Sequence, residues 1–220
     1  MMPSNLIVKQ SGLAPLGESS NTPGFATRLG SQVVTDFYTY AALVGAGFQV
    51  RAGTLTTPLV GDVVITDTAA EMCSDAASGT IIIPVGLGIA IRLATGTLHE
   101  YAAKSVATAS SAGAAFVPLP LKSNGPAAVS TARVAAAGGV TVTAELATTT
   151  LRHWEYANPV VAGAGNDPGL VAAASVGWNP RVPPILVGPR CFYVQIAATT
   201  TGPSYYCHYE LLEFPSATLL

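Results

Sequence analysis

The sequence predicts an all-β fold: an antiparallel β-sandwich preceded by an extended N-terminal arm. Three features carry this expectation. Apolar residues recur at every second position in the best-patterned segments, turn residues break the chain at short intervals from Phe48 onward, and strand and helix periods do not alternate along it. A chain of 220 residues is long enough to bury one sizeable core.

Residues 1–32 mix Pro3, Pro15 and Pro23 with Gly12, Gly17, Gly24 and polar residues and hold no sustained period. They read as the arm, which a neighbouring molecule could order. Residues 33–220 read as a single sandwich domain. Thr35–Val44 supports two assignments. Phe37, Tyr40, Ala41 and Val44 fit one face of a helix capped by Thr35 and stopped by Gly45, while the aromatic content fits a strand.

Strands are expected at Gln49–Leu55, Asp62–Thr66, Ile81–Leu93, Leu98–Lys104, Ala115–Leu121, Val140–Leu146, Leu151–Ala157, Cys191–Ala198 and Tyr205–Phe214. In Ile81–Leu93 every odd-numbered residue is aliphatic, which places all seven on one face. The other face carries Gly86, Gly88 and Ala90, small enough to let a second surface approach. Pro84 cannot donate to a ladder, so an edge or a bulge is expected there. Val140–Leu146 alternates Val140, Val142, Ala144 and Leu146 with Thr141, Thr143 and Glu145, behind a Gly138-Gly139 turn. An apolar strand, a Thr-rich turn and an aromatic strand recur at Leu93–Ala102, Leu146–Ala157 and Ile196–Glu210, and each reads as a hairpin. The connection Asn158–Pro184 runs 27 residues and reads as an interface or binding loop, with Trp178 either its anchor or a cap on the core.

Charged residues make up 10% of the chain, against about 25% in an ordinary domain, and the mean hydropathy is +0.45. The longest run suited to a membrane span, the sixteen uncharged residues Ala76–Ile91, is too short and too strand-like for a membrane helix, and the opening residues lack a basic segment followed by an apolar one. A soluble chain with no membrane partner is therefore expected. Its remaining apolar surface must be hidden, and interfaces between subunits are where such surface goes. The ten Lys and Arg residues form no cluster and the net charge is −2, which argues against direct nucleic-acid binding.

Each of the three histidines lies near a glutamate: His99 with Glu100, His153 with Glu155, His208 with Glu210. The last two pairs are spaced i and i+2 and share a strand face, which gives them the donor types of a transition-metal site. Ordinary polar rows, with Trp154, Tyr156, Tyr206 and Tyr209 as cross-strand partners, account for the same residues, and no metal or other cofactor is expected. Nor is catalysis. Ala173-Ala174-Ser175-Val176-Gly177 keeps only the second glycine of a nucleophile elbow, the Gly45-Ala46-Gly47 and Gly163-Ala164-Gly165 runs lack the context of a phosphate loop, and Asp62 with Asp67 is an unremarkable carboxylate pair. Cys73, Cys191 and Cys207 show no CxxC spacing. The last two are expected on the arms of the final hairpin, as small buried hydrophobes.

The run of short strands, the terminal Cys191–Phe214 hairpin and the arm-plus-sandwich layout resemble viral jelly-roll structural proteins. The charge-poor style of Gly138–Ala144 and Ile196–Tyr206 is similar to that of bacteriophage virion proteins. The likeness spans residues 48–214 at the level of architecture. It implies a jelly-roll sandwich with a capsid, decoration or vertex role, partnered by other copies of itself and other virion proteins. It also implies a location in the virion after assembly in the host cytoplasm. Lys9 and Arg28 are the only basic residues of the arm, which departs from coats that grip their genome. The interface candidates are Trp178, Trp154, Tyr156 and Tyr206. The alternative is a carbohydrate- or receptor-binding β-sandwich of phage-fibre or lectin type, using the aromatic residues near Trp154, Tyr156 and Trp178.

Overall fold

The structure, a computed structural model, describes residues 37–54, 56–66, 68–93, 98–135, 139–143, 148–157 and 175–219. The arm, Thr35 and Asp67 lie outside the described residues. The chain opens with helix α1 (Phe37–Leu43), so the helical assignment of this segment holds. Its end is fixed by Gly45 at φ +84°, where Gly45 N–H donates to Ala42 O (3.0 Å) and Ala46 N–H to Ala41 O (2.8 Å). This is the left-handed closure that glycine permits.

The strands then follow as β1 (Gly47–Ala52), β2 (Leu59–Val60), β3 (Ala69–Ala70), β4 (Met72–Ala76), β5 (Thr80–Leu93), β6 (Leu98–Val106), β7 (Ser111–Ala112) and β8 (Ala114–Phe116). The second half contains β9 (Leu119–Pro120), β10 (Thr131–Val134), β11 (Val140–Thr141), β12 (Thr148–Ala157), β13 (Ser175–Trp178), β14 (Leu186–Val187), β15 (Arg190–Ala198) and β16 (Ser204–Pro215), before the short α2 (Ser216–Leu219). The first sheet runs β13-β5-β16-β1-β9, with β14 also on β5 and β2 on β16. The second runs β12-β6-β15-β4-β10-β8, and the third is β3-β11-β7. No described helix is long and apolar enough to cross a membrane.

Eight strands carry the architecture. The antiparallel pairs β1·β16, β4·β15, β5·β13 and β6·β12 are nested. In chain order among the eight, first meets eighth, second meets seventh, third meets sixth and fourth meets fifth. The pairings β5·β16 and β6·β15 then join these pairs two by two into the two large sheets. Both sheets contribute to one core. Phe48, Val50, Leu87, Ile89 and Tyr209 come from the first sheet, and Met72, Tyr101, Phe192, Val194 and Ile196 from the second. Ser74 and Tyr209 share a buried 2.6 Å hydrogen bond between the sheets, and the Phe192 and Tyr209 rings meet edge to face at 5.1 Å.

Each sheet is also covered on part of its outer face. Ala41 of α1 and Ala46 pack on Ile81, Ile83, Leu212 and Phe214 of the first sheet. Ala70, Val140 and Val142 pack on Cys73, Val106, Cys191 and Tyr193 of the second.

This layering corrects the reading of β5. Glu210 pairs with Gly86 and Leu211 with Pro84, leaving Val85 as an extra residue. A single inserted residue exchanges the two faces of a strand. Ile81, Ile83 and Val85 therefore face the helix, whereas Leu87, Ile89 and Ile91 face the main core. Pro84 sits beside this bulge, as its missing donor requires.

Among the described residues none of the three expected hairpins pairs as one: β5 and β6, like β15 and β16, belong to different large sheets, and β11 and β12 to the third and second sheets. Thr148–Thr150, expected as a turn, are the opening residues of β12. β13 divides the long Asn158–Pro184 connection, with residues 158–174 outside the described ones. Asp62–Thr66 forms only an isolated bridge from Asp62 to Ala197. Within the described part of Val140–Leu146, strand structure is confined to β11, where Val140 is buried and Thr141 exposed.

Candidate functional site

An apolar groove of about 420 Å³ beside α1 is lined by Tyr40, Val44, Phe48, Pro126, Val129 and Phe214. Val44 and Val129 are exposed there, as are Phe37 and Tyr38 of α1 and Leu119 and Leu121 beside β1. The sequence builds it locally. Leu121 N–H donates to Gly47 O at 2.9 Å, and the Glu213 carboxylate accepts Val129 N–H (2.7 Å) and Ser130 N–H (2.8 Å), which pins the far wall. Val187, Ile81 and Phe214 stand in one cross-strand row, and the Phe37 ring lies 6.2 Å from that of Phe214. Among the groove's lining residues Glu213 is the only acidic or basic one, and its oxygens already accept two backbone donors. A groove this poor in charge suits burial against another apolar surface.

The four interface candidates are dispersed. Trp178 lies on β13 and not in a loop. Its ring stacks on Phe192 with centroids 6.5 Å apart, half-buried against the core. Trp154 also packs against the core, with the Arg152 guanidinium 5.5 Å from its ring centroid. Tyr156 is placed opposite His99 by its backbone, and its side chain lies outside what is described. Tyr206 is half-buried on the first sheet opposite Ala90. Sequence reasoning missed the surface around α1, because its apolar residues come from short segments that show no shared period.

The histidines separate too. His99 is buried, with Nδ1 2.9 Å from Tyr101 OH. The His208 ring lies over Gly88, where a Cβ would meet its Cε1 at 2.6 Å. His153 alone joins a cluster: its Nε2 is 2.7 Å from Glu100 Oε1 and its Nδ1 4.0 Å from Glu155 Oε1. These three residues place one donor atom each within 4.8 Å of one another, on a solvent-facing part of the second sheet.

Acidic side chains are also buried away from these surfaces, among them Asp75 and Glu71. Cys73, Asp75 and Cys191 converge beneath the third sheet, whereas Cys207 belongs to the main core, so the two cysteines placed on one hairpin lie apart. Asp75 accepts Ser110 N–H (2.8 Å) and Ser110 Oγ–H (2.6 Å), and burial followed by the neighbouring Cys73 pushes the Cys191 thiol well up. The Asp75 oxygens are thus hydrogen-bonded, and burial favours the neutral Cys191 thiol within the packing beneath the third sheet. Glu71 is buried where the two sheets meet, and burial pushes its carboxyl up to about 7. No protein-family model, no curated protein and no solved structure matches the chain.

Proposed function

We propose that this chain is a jelly-roll structural subunit of a virus particle that acts by assembling with other copies of itself and with other virion proteins. The observation that carries the reading is the nested pairing of the eight main strands. A ribbon folded in half yields first·eighth, second·seventh, third·sixth and fourth·fifth pairs. Wound around a core, it sends alternate pairs to opposite sheets, which supports the jelly-roll reading, an architecture used by capsid proteins and also by lectins. Fold alone does not choose between those uses.

The choice rests on surface chemistry. Only 10% of the residues are charged, and an apolar groove opens beside α1. Apolar area is worth about 25 cal/mol per Å² when removed from water, although association costs consume much of it. In a particle, many equal contacts compound a modest one. Trp154 and Trp178 pack on the core instead of standing free as stacking platforms, which takes support from the carbohydrate-binding reading. The absence of a basic cluster in the sequence fits a shell component that does not hold nucleic acid, located in the virion after assembly in the host cytoplasm.

Light scattering during gel filtration and electron microscopy of the purified chain test this. Closed particles, sheets or defined oligomers are the expected result. A lone 22.3 kDa species that persists at millimolar concentration and adds to no virion shell overturns the proposal.

A further inference from the structure

We infer that the outer face of the second sheet holds a binding site for one divalent first-row transition ion, zinc being the reference metal, formed by Glu100, His153 and Glu155. The site is separate from the groove beside α1, and it stands whether or not the chain assembles.

The strand register creates it. Glu155 pairs directly with Glu100, so two carboxylates face each other on one side of the β12·β6 ladder, an arrangement that is unfavourable when nothing neutralises it. Among the described residues, the ion pairs of both carboxylates run to His153. One imidazole supplies at most a single positive charge for two carboxylates, whereas a divalent ion balances both. Arg152, next in sequence, falls on the opposite face and lies over Trp154.

A bulge sets this register. Thr150 pairs with Lys104 and Arg152 with Ala103, leaving Leu151 as an extra residue. Without it, Trp154 and not Glu155 would stand opposite Glu100. Bulges commonly re-aim side chains in this way.

The distances suit the ion. Zinc to nitrogen and oxygen distances of about 2.0–2.2 Å imply a tetrahedral edge of roughly 3.3 Å. One donor atom of each residue already lies within 4.8 Å of the others; Glu100 meets Nε2 of His153 at 2.7 Å and Glu155 lies 4.0 Å from Nδ1, so the side chains must turn to bring both carboxylates to one ring nitrogen. An imidazole beside two carboxylates favours zinc-like ions over calcium or magnesium. Solvent exposure leaves the fourth position to water or to a donor from another molecule.

The test uses the untagged full chain, equilibrium dialysis against zinc and metal counting by mass spectrometry. The expected result is one saturable zinc per chain, an affinity loss of more than about tenfold in His153→Ala and Glu155→Gln, and no change in His208→Ala. Cobalt in place of zinc should give a visible ligand-field band without the near-ultraviolet thiolate absorption that Cys73 and Cys191 would add. Failure to saturate, binding retained in folded His153→Ala, or a thiolate band overturns the inference.

Discussion

Tyr205 donates a 2.6 Å hydrogen bond to Oε2 of Glu71, tying β16 of the first sheet to the residue that precedes β4 in the second. The other carboxylate oxygen accepts Asp62 N–H at 3.2 Å. Burial is the main cause of the raised Glu71 pKa, the Tyr205 hydrogen bond opposes it, and the Asp62 charge adds to it. Folding therefore favours the protonated carboxyl. Between the ordinary value of 4.5 and about 7 the folded chain holds a proton that the unfolded chain releases. The Glu71 contribution is complete below that window and lost as pH rises through it, by about 3 kcal/mol in all. Denaturant melts across this range should show the fall, and Glu71→Gln should flatten it.

The Ser74–Tyr209 hydrogen bond is buried at both ends. Tyr209→Phe keeps the ring against Phe192 and strands the serine hydroxyl, at a cost of about 1–2 kcal/mol. Adding Ser74→Ala should recover part of that loss, because the orphaned group is then gone. Equilibrium unfolding of the two variants checks both outcomes.

Gly45 combines φ +84° with a neighbour in the way: a Cβ there would stand 2.7 Å from Pro126 Cδ. Gly45→Ala should cost about 1–3 kcal/mol through backbone strain and displacement of the groove wall. Calorimetry should show a melting temperature lower by several degrees.

Val129 is exposed on the rim of the groove. Val129→Lys should leave stability within about 0.5 kcal/mol and abolish the assembly that the proposed function expects in light scattering. Wild-type assembly in this variant would remove the groove from the interface.

Much of the all-β fold was legible because strands with one buried face alternate, as in β1, where Phe48, Val50 and Ala52 are buried and Arg51 is exposed. β4 was not, since Ser74 and Asp75 look like loop residues and are tolerated inside only through their bonds to Tyr209 and Ser110. The β5 pattern was seen, but its faces were misassigned, because an extra residue at Val85 leaves no mark in a uniformly aliphatic run. Of the candidate site, the His153 and Glu155 pairing was visible in their spacing. The arrival of Glu100 from another strand depends on a bulge that no local signal announces.

The extra residue at Val85 makes β5 a wall between two rooms, one behind the helix and one between the large sheets. Shortening the strand by that residue would keep one room dry only by turning the other's greasy lining outdoors. Fourteen residues is therefore not a tolerance but a count, and the chain can lose none at this point without choosing which interior to flood.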